Sequence, residues 1–328
     1  MTGYLGFVFR KIGSAILIVF VIICVNFLLF RIVPGDPIRL MFRDPRMTLE
    51  QIELLREQFG LSGTIWEQFV AYLRQLFLNG NLGVSIFQAR PVTTVILERL
   101  PNTLLLVLTA VIIAIILGTI LGAITGWKTG TKLDAFLVSN SLALYSIPAF
   151  CVSLVLLVLF AYRIGAFPLA GMTTPGLRLT GLAYWQDVAW HMFLPAVAVL
   201  IGYVGQYVLI TRNSMQDVLD QDYILSARAK GVKESVILRK HALRNAILPV
   251  VTMTGMNLAR AVTGSLQVEI VFSWPGIGRL MYEAILKRDY PILQGLFLIF
   301  AVSIVVANLV VDLIYGRIDP RIRVGGGQ

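Results

Sequence analysis

Residues 99–128 read RLPNTLLLVLTAVIIAIILGTILGAITGWK, and nothing between Arg99 and Lys128 carries a charge. At 1.5 Å of rise per residue, a helix over this run exceeds the roughly 30 Å hydrocarbon core of a bilayer. The composition of the whole chain agrees. Of 328 residues, 57 % are hydrophobic and 14 % charged, against roughly 25 % charged in an average soluble domain. Mean hydropathy is +0.79. That leaves too little charge to clothe a soluble globule and too much apolar surface for a disordered chain. The fold class predicted is an all-α polytopic membrane protein.

Five more apolar runs have limits set by charges. Residues 12–30 follow Arg10-Lys11 and precede Arg31. A third run lies between Asp134 and Arg163, a fourth between Asp187 and Arg212, and a sixth between Asp289 and Asp312. The fifth starts near Asn245 and reaches about Val268, interrupted by Arg260. Each holds roughly 20 residues of helix. The first run resembles a signal peptide at its start. No small-x-small site follows, and Ile23 stands before Cys24, so a retained anchor helix is expected. Cys24 and Cys151 both lie in apolar runs and offer neither a disulfide framework nor metal spacing.

Six spans put both termini on one side. With that side cytoplasmic, the short inner segments hold fourteen Lys and Arg and the two shorter outer loops hold five. The segment from Arg31 to Arg99 is too long for the rule to count. The orientation expected is N-in and C-in. The net charge of +10 is then positive-inside bias and not a nucleic-acid footprint, because no nucleic-acid module appears. The chain divides into an anchor helix (1–31), an extracytoplasmic helical segment (32–101), a transmembrane core (102–316) with an inner loop at 212–244, and a tail (317–328). In the outer segment Thr48 and Gln51 form a capping-box pattern ahead of Ile52, Leu55 and Phe59, with Gly60 as the stop. Trp66, Phe69, Val70, Leu73, Leu76 and Phe77 then recur at helical spacing. Such a stripe packs on the protein, lies in the membrane interface, or docks an outside partner.

No catalytic chemistry is visible. The two histidines, His191 and His241, fall on opposite sides of the fourth span. There is no H-E-x-x-H, no G-x-S-x-G and no phosphate-binding loop; the nearest phrase, residues 126–132, has the wrong spacing. A membrane-embedded enzyme lacks its site, and a secondary transporter lacks the inverted repeat of broken helices. Polar residues inside spans are functional candidates because lipid makes them costly. Asn26 and Asn140, and the pair Asn308 and Asp312 on one face of span six, fit bundle-internal hydrogen bonds or a path. Tyr145 and Ser146 precede Pro148, which should loosen span three. Arg260 lies about 22 Å up span five; it either snorkels or lines the path. A pair with Glu269 looks remote, because nine residues of continuous helix cover about 13 Å.

The inner loop contains the most specific phrase. Asp222-Tyr223-Ile224-Leu225-Ser226-Ala227-Arg228-Ala229-Lys230-Gly231 frames a short helix, with Asp222 as N-cap and Gly231 just past the end. Small residues at 226, 227 and 229 allow close docking. A second helix is expected from about Lys233. Together with His241-Ala242-Leu243-Arg244-Asn245-Ala246-Ile247-Leu248-Pro249, the loop resembles the ATPase-contact loop, called the EAA loop, of ABC importer permeases. The match is to the dipeptide/oligopeptide/nickel subfamily, with the B-type dipeptide permeases the nearest likeness. Leu225-Ser226-Ala227 stands where the wider superfamily has Glu-Ala-Ala, and Leu248-Pro249 comes about five residues later than in the general pattern; both departures are similar to the peptide subfamily. Further phrases follow the same order as in that family: Pro34-Gly35-Asp36-Pro37, Asn81-Leu82-Gly83-Val84-Ser85, Arg99-Leu100-Pro101-Asn102-Thr103, Phe272-Ser273-Trp274-Pro275-Gly276, Arg288-Asp289-Tyr290-Pro291, Asn308 to Asp312, and Asp319-Pro320-Arg321.

The resemblance implies a type I ABC importer permease fold. It also implies a second homologous permease subunit, two ATP-binding subunits that hold ATP and Mg, and an extracytoplasmic substrate-binding protein, all in a prokaryotic cytoplasmic membrane. This chain would bind no cofactor or metal and catalyse nothing itself. Peptides lead as solute, with nickel and oligosaccharides as alternatives. Residues implied at the ATPase contact are Asp222, Tyr223, Ser226, Ala227, Gly231, His241, Arg244, Asn245 and Pro249, with Ala227 and Gly231 expected to make the closest contact. Path candidates from the spans are Asn140, Tyr145, Arg260 and Glu269, and the 272–279 loop with Trp274 should be open to the outside.

Overall fold

The computed structural model describes residues 4–32, 62–262 and 264–318. The helix expected at 48–60, the phrase at 34–37 and the tail phrase at 319–323 lie outside the described residues. Everything regular in the described residues is helical; the one β-type contact is an isolated antiparallel bridge between Val84 and Pro91. Among the described residues four helices are long and apolar enough to cross a membrane, or five if the helix pair Lys132–Ser146 and Ala149–Arg163, bent by 95°, is one broken span. The chain divides into two compact units: Met1–Pro101 with Gly276–Gln328, and Asn102–Pro275. The described residues from Gly276 to Ile318 therefore group with the described residues before Asn102.

In the first unit, α1 (Tyr4–Ile32) runs antiparallel to the C-terminal helix, Tyr290–Ile318. Asn26 donates to the Gln294 carbonyl at 3.1 Å, and Lys11 pairs with Asp312 at 2.7 Å. The start of α1 thus lies beside the end of the last helix. The Asn26 contact is a bundle-internal hydrogen bond, one of its two readings, whereas the Lys11–Asp312 pair is partly exposed. Next comes α2 (Ile65–Asn79), which carries the expected Trp66–Phe77 stripe. Its N-terminus is closed by a capping box the sequence reading missed, although Thr64-Ile-Trp-Glu67 has the pattern. Thr64 Oγ1 accepts from the Glu67 amide, and the Thr64 backbone and hydroxyl donate to the Glu67 carboxylate, which holds that carboxyl below its usual range. Two phrases distant in sequence meet at Asp289. This buried carboxylate accepts from Ser85 Oγ at 2.5 Å and from the amides of Ile86 and Phe87. The first turns of α3 (Val92–Trp127) close the unit, with Val92, Val95 and Ile96 packing on Ile277, Leu280, Leu293 and Leu296.

The second unit is built on two long helices. Gly118, Gly122 and Gly126 of α3 lie against Tyr207, Thr211 and Met215 of a 39-residue helix, Gly181–Leu219. A Cβ at any of the three would sit 2.4–2.6 Å from the Cβ of its opposite number. Repetition every four residues on both helices produces one continuous close seam. The other flank of the 39-residue helix meets α4 (Lys132–Ser146), where Gly205 abuts the Ser141 carbonyl. The end of this contact at the start of α4 is held by Asp134, buried, which accepts from Arg212 Nε and Nη2 at 2.7 and 2.9 Å and from the Gly130 amide at 3.0 Å.

Span three breaks where proline predicts. After α4, Pro148 caps α5 (Ala149–Leu156), which widens into a π-helical turn over Leu157–Arg163, and the two halves meet at 95°. The fifth apolar run is also interrupted. Leu248–Ala261 is 14 residues long, about 21 Å. Gly264 then takes φ +73°, and a six-residue helix, Leu266–Val271, follows. The interruption voids the continuous-helix spacing between Arg260 and Glu269. Glu269, expected along the path, is fully buried and accepts from Thr103 Oγ1 at 2.8 Å. Trp274, expected to be open, is fully buried too: its indole donates to the Asn102 carbonyl, and Asn102 Nδ2 donates to the Pro275 carbonyl. Asn102 and the Trp274-Pro275 pair interlock here through backbone carbonyls that need donors away from water.

Candidate coupling site

The loop after Leu219 forms the short helix the sequence predicts, Asp222–Ala229. The N-cap is Gln221, one residue earlier than expected; Asp222 occupies the first turn, where its charge complements the helix dipole. The end is a Schellman closure. Gly231 has φ +72°, its amide donates to the Arg228 carbonyl, and the Val232 amide donates to the Ala227 carbonyl. Glycine reaches this conformation without the strain a Cβ would bring.

The helix has two faces. Ile224 and Ala227 point inward and pack with Met215, Ile237, Ala242 and Ala246. Ala227 is therefore spent on the chain's own core, contrary to the expectation that it makes a close outside contact. Tyr223, Leu225, Ser226, Ala229 and Gly231 are exposed, with Leu225 54 % accessible. Arg228 pairs with Glu234 at 3.1 Å and lies over the Trp127 ring.

The second helix begins at Glu234 as expected, but Ile237–Ala242 is a π-turn that contains His241. Leu243–Ala246 follows, with Arg244 and Asn245 exposed. Pro249 has no N–H for the Asn245 carbonyl, and the helix breaks at Ile247 before Leu248–Ala261 begins. Asn245 Nδ2 donates to the Tyr223 hydroxyl at 2.7 Å. Two sequence-selected residues, 22 positions apart, thus join the short helix to the base of the fifth apolar run. Periodicity carries no signal for that bond. Met215 in the inward core ties the same helix to the end of the 39-residue helix.

Among the described residues no cluster of His, Cys, Asp and Glu can hold a metal ion. His191 sits near the start of the 39-residue helix, its Nδ1 2.9 Å from the Asp187 carbonyl. His241 lies beyond the helix's far end, after about 42 Å of helix. Of the path candidates, Asn140 and Tyr145 are exposed on α4, with Asn140 Nδ2 donating to the Phe136 carbonyl at 2.8 Å. The Arg260 backbone is helical, and its side chain lies outside the described residues.

Residues 118–324 match the model of a family described as the binding-protein-dependent transport system inner membrane component, and residues 4–107 match that of its N-terminal region. The chain belongs to this family. It is 35 % identical over 318 residues to the oligopeptide transport system permease protein AppB of Bacillus subtilis, covering 97 % of this chain and 99 % of that one. It is also 35 % identical over 319 residues to the glutathione transport system permease protein GsiC of Escherichia coli K12, with the same coverage. The protein is a permease subunit of a binding-protein-dependent importer, a multi-pass protein of the bacterial cytoplasmic membrane, and its relatives are transport proteins and not enzymes. Such permeases work with ATPase and binding-protein partners.

Proposed function

We propose that this permease pairs with a second, related permease to enclose a path for peptides, and that two partner ATPases, holding ATP and Mg, drive it through the Asp222–Ala229 helix. It crosses the membrane six times, with both termini cytoplasmic, in the type I importer arrangement. The Lys11–Asp312 pair, which brings the two terminal helices' ends together, supports an even number of crossings. The peptide assignment rests on the names of the relatives, one an oligopeptide and one a glutathione permease. An outside binding protein delivers the solute.

The observation that supports coupling best is the short helix, with Tyr223, Leu225 and Ala229 exposed and two internal ties, one to Met215 and one through Tyr223 to Asn245. A displacement imposed on that helix moves the ends of two spans together. Binding of ATP by the partners biases this two-state element, which is what coupling requires. Gly231 tests it. A Cβ there meets nothing within 4 Å in this chain, so a side chain costs only backbone strain, about 1–2 kcal/mol for a β-branched residue, while Asn tolerates positive φ. Gly231→Val is expected to insert normally and lose most transport and transport-stimulated ATP hydrolysis; Gly231→Asn is expected to keep both. Parental transport by the Val protein at normal abundance would refute the coupling role.

Arg260 is proposed to line the path and attract a carboxylate such as a peptide C-terminus. An arginine facing lipid costs at least about 2.5–3.5 kcal/mol, which favours an interior setting. Arg260→Ala should slow uptake of zwitterionic peptides several-fold without loss of co-purifying ATPase. Equal uptake at every peptide concentration would make Arg260 a snorkelling or packing residue.

A further inference from the structure

The α2 helix presents three different flanks. Phe69 and Tyr72 rest on Phe27 of α1, with ring centroids 5.1 and 5.7 Å away. Glu67 and Arg74 are exposed on the far flank. Between these flanks runs a third line, Trp66, Val70 and Phe77, at helical spacing and 70, 40 and 66 % accessible. An apolar groove of about 430 Å³ separates this line from α1, walled by Cys24, Phe27, Leu28, Ile65, Trp66 and Phe69.

The depth of that groove identifies what fills it. Along α1 the charge-free stretch is 12–30, bounded by Lys11 and Arg31, about 28 Å of helix and one hydrocarbon core. Arg31 therefore marks the interface. Cys24 and Leu28 lie about 10 and 5 Å further in, a depth that amphipathic interfacial helices reach. The Ile65 and Trp66 side of the first turn of α2, docked at this level, has acyl chains and not water to face. We infer that α2 is a membrane-inserted interfacial helix whose Trp66, Val70 and Phe77 line packs on phospholipid acyl chains, one of which occupies the groove against Cys24 and Leu28. The opposite flank, with Glu67 and Arg74, faces the headgroups and water. This assigns the stripe to lipid and not to a docked protein. Placement in the outer leaflet rests on the N-in orientation proposed above; insertion itself does not.

The test uses the assembled importer in phosphatidylethanolamine/phosphatidylglycerol vesicles. In a Cys24→Ala, Cys151→Ser background, single nitroxides are placed at Trp66→Cys, Phe77→Cys and Arg74→Cys. Collision rates with oxygen, which concentrates in acyl chains, and with a water-soluble nickel chelate are compared. The expected result is an oxygen-to-nickel ratio at 66 and 77 at least several-fold above that at 74. A ratio at 66 and 77 no higher than at 74 would overturn the inference, as would low collision rates with both reagents, the mark of a protein cover. Orientation is read separately from Asn79→Cys. Labelling by an impermeant maleimide from outside supports N-in, whereas labelling only from inside removes the outer-leaflet assignment and leaves the collision ratios to judge insertion.

Discussion

Gly122→Ala is expected to destabilise the permease, although alanine is the better helix former by about 1 kcal/mol. The added Cβ would lie 2.6 Å from both the Thr211 Cβ and the Val208 carbonyl oxygen and 3.2 Å from the Arg212 amide nitrogen. Two of those atoms are backbone, so no rotamer change relieves the overlap, and the two longest helices of the unit must separate. Overpacking of this kind costs typically about 1–3 kcal/mol. It also loosens the neighbouring contacts at Gly118 and Gly126, which share the seam. Gly122→Leu should leave little folded protein in the membrane. The control is Gly202→Ala, the same methyl at a glycine of the opposing helix with nothing within 4 Å. Its thermal midpoint in detergent should match or exceed the parent's, while that of Gly122→Ala falls by several degrees. Equal midpoints for the two variants would show that the seam is not tight.

Leu225→Asp is expected to separate folding from coupling. Leu225 is 54 % accessible, whereas its neighbour Ile224 is fully buried beside Met215 and Ile237. A surface substitution of this type stays within about 0.5 kcal/mol in stability, so membrane abundance should be unchanged. If Leu225 is an apolar anchor in the ATPase contact, a buried charge there costs about 2 kcal/mol or more, roughly 30-fold in affinity. Transport and co-purification of the ATPases should fall together. Ile224→Asp, by contrast, should remove the protein itself, because it places a charge in the loop's core. Parental transport by Leu225→Asp would move the contact off this face.

The sequence by itself determined that this is a membrane protein, because charge-free runs of span length have only one stable environment. It also determined where the spans are limited, since charges cannot follow a helix into lipid without cost. The ordered phrases from 81 to 312 were enough to place the family, and the short helix before Gly231 was legible because capping chemistry is local. What lay beyond reach was which faces meet. Asp222 carried an N-cap signature, yet the preceding turn placed Gln221 there. Ala227 is small, which is equally compatible with an outer contact and with the inward core that Met215, Ile224 and Ile237 impose. The seam at Gly118, Gly122 and Gly126 was written in the sequence at four-residue spacing, but its partners Tyr207, Thr211 and Met215 are about 90 residues away, and spacing within one helix does not name the other. The burial of Glu269 and Trp274 depended on a backbone break near Gly264 and on hydrogen bonds to Thr103 and Asn102. Local pattern records which residues dislike water or lipid. Only the tertiary structure decides which of them find each other, because satisfying a buried donor or filling a groove depends on atoms that distant parts of the chain supply.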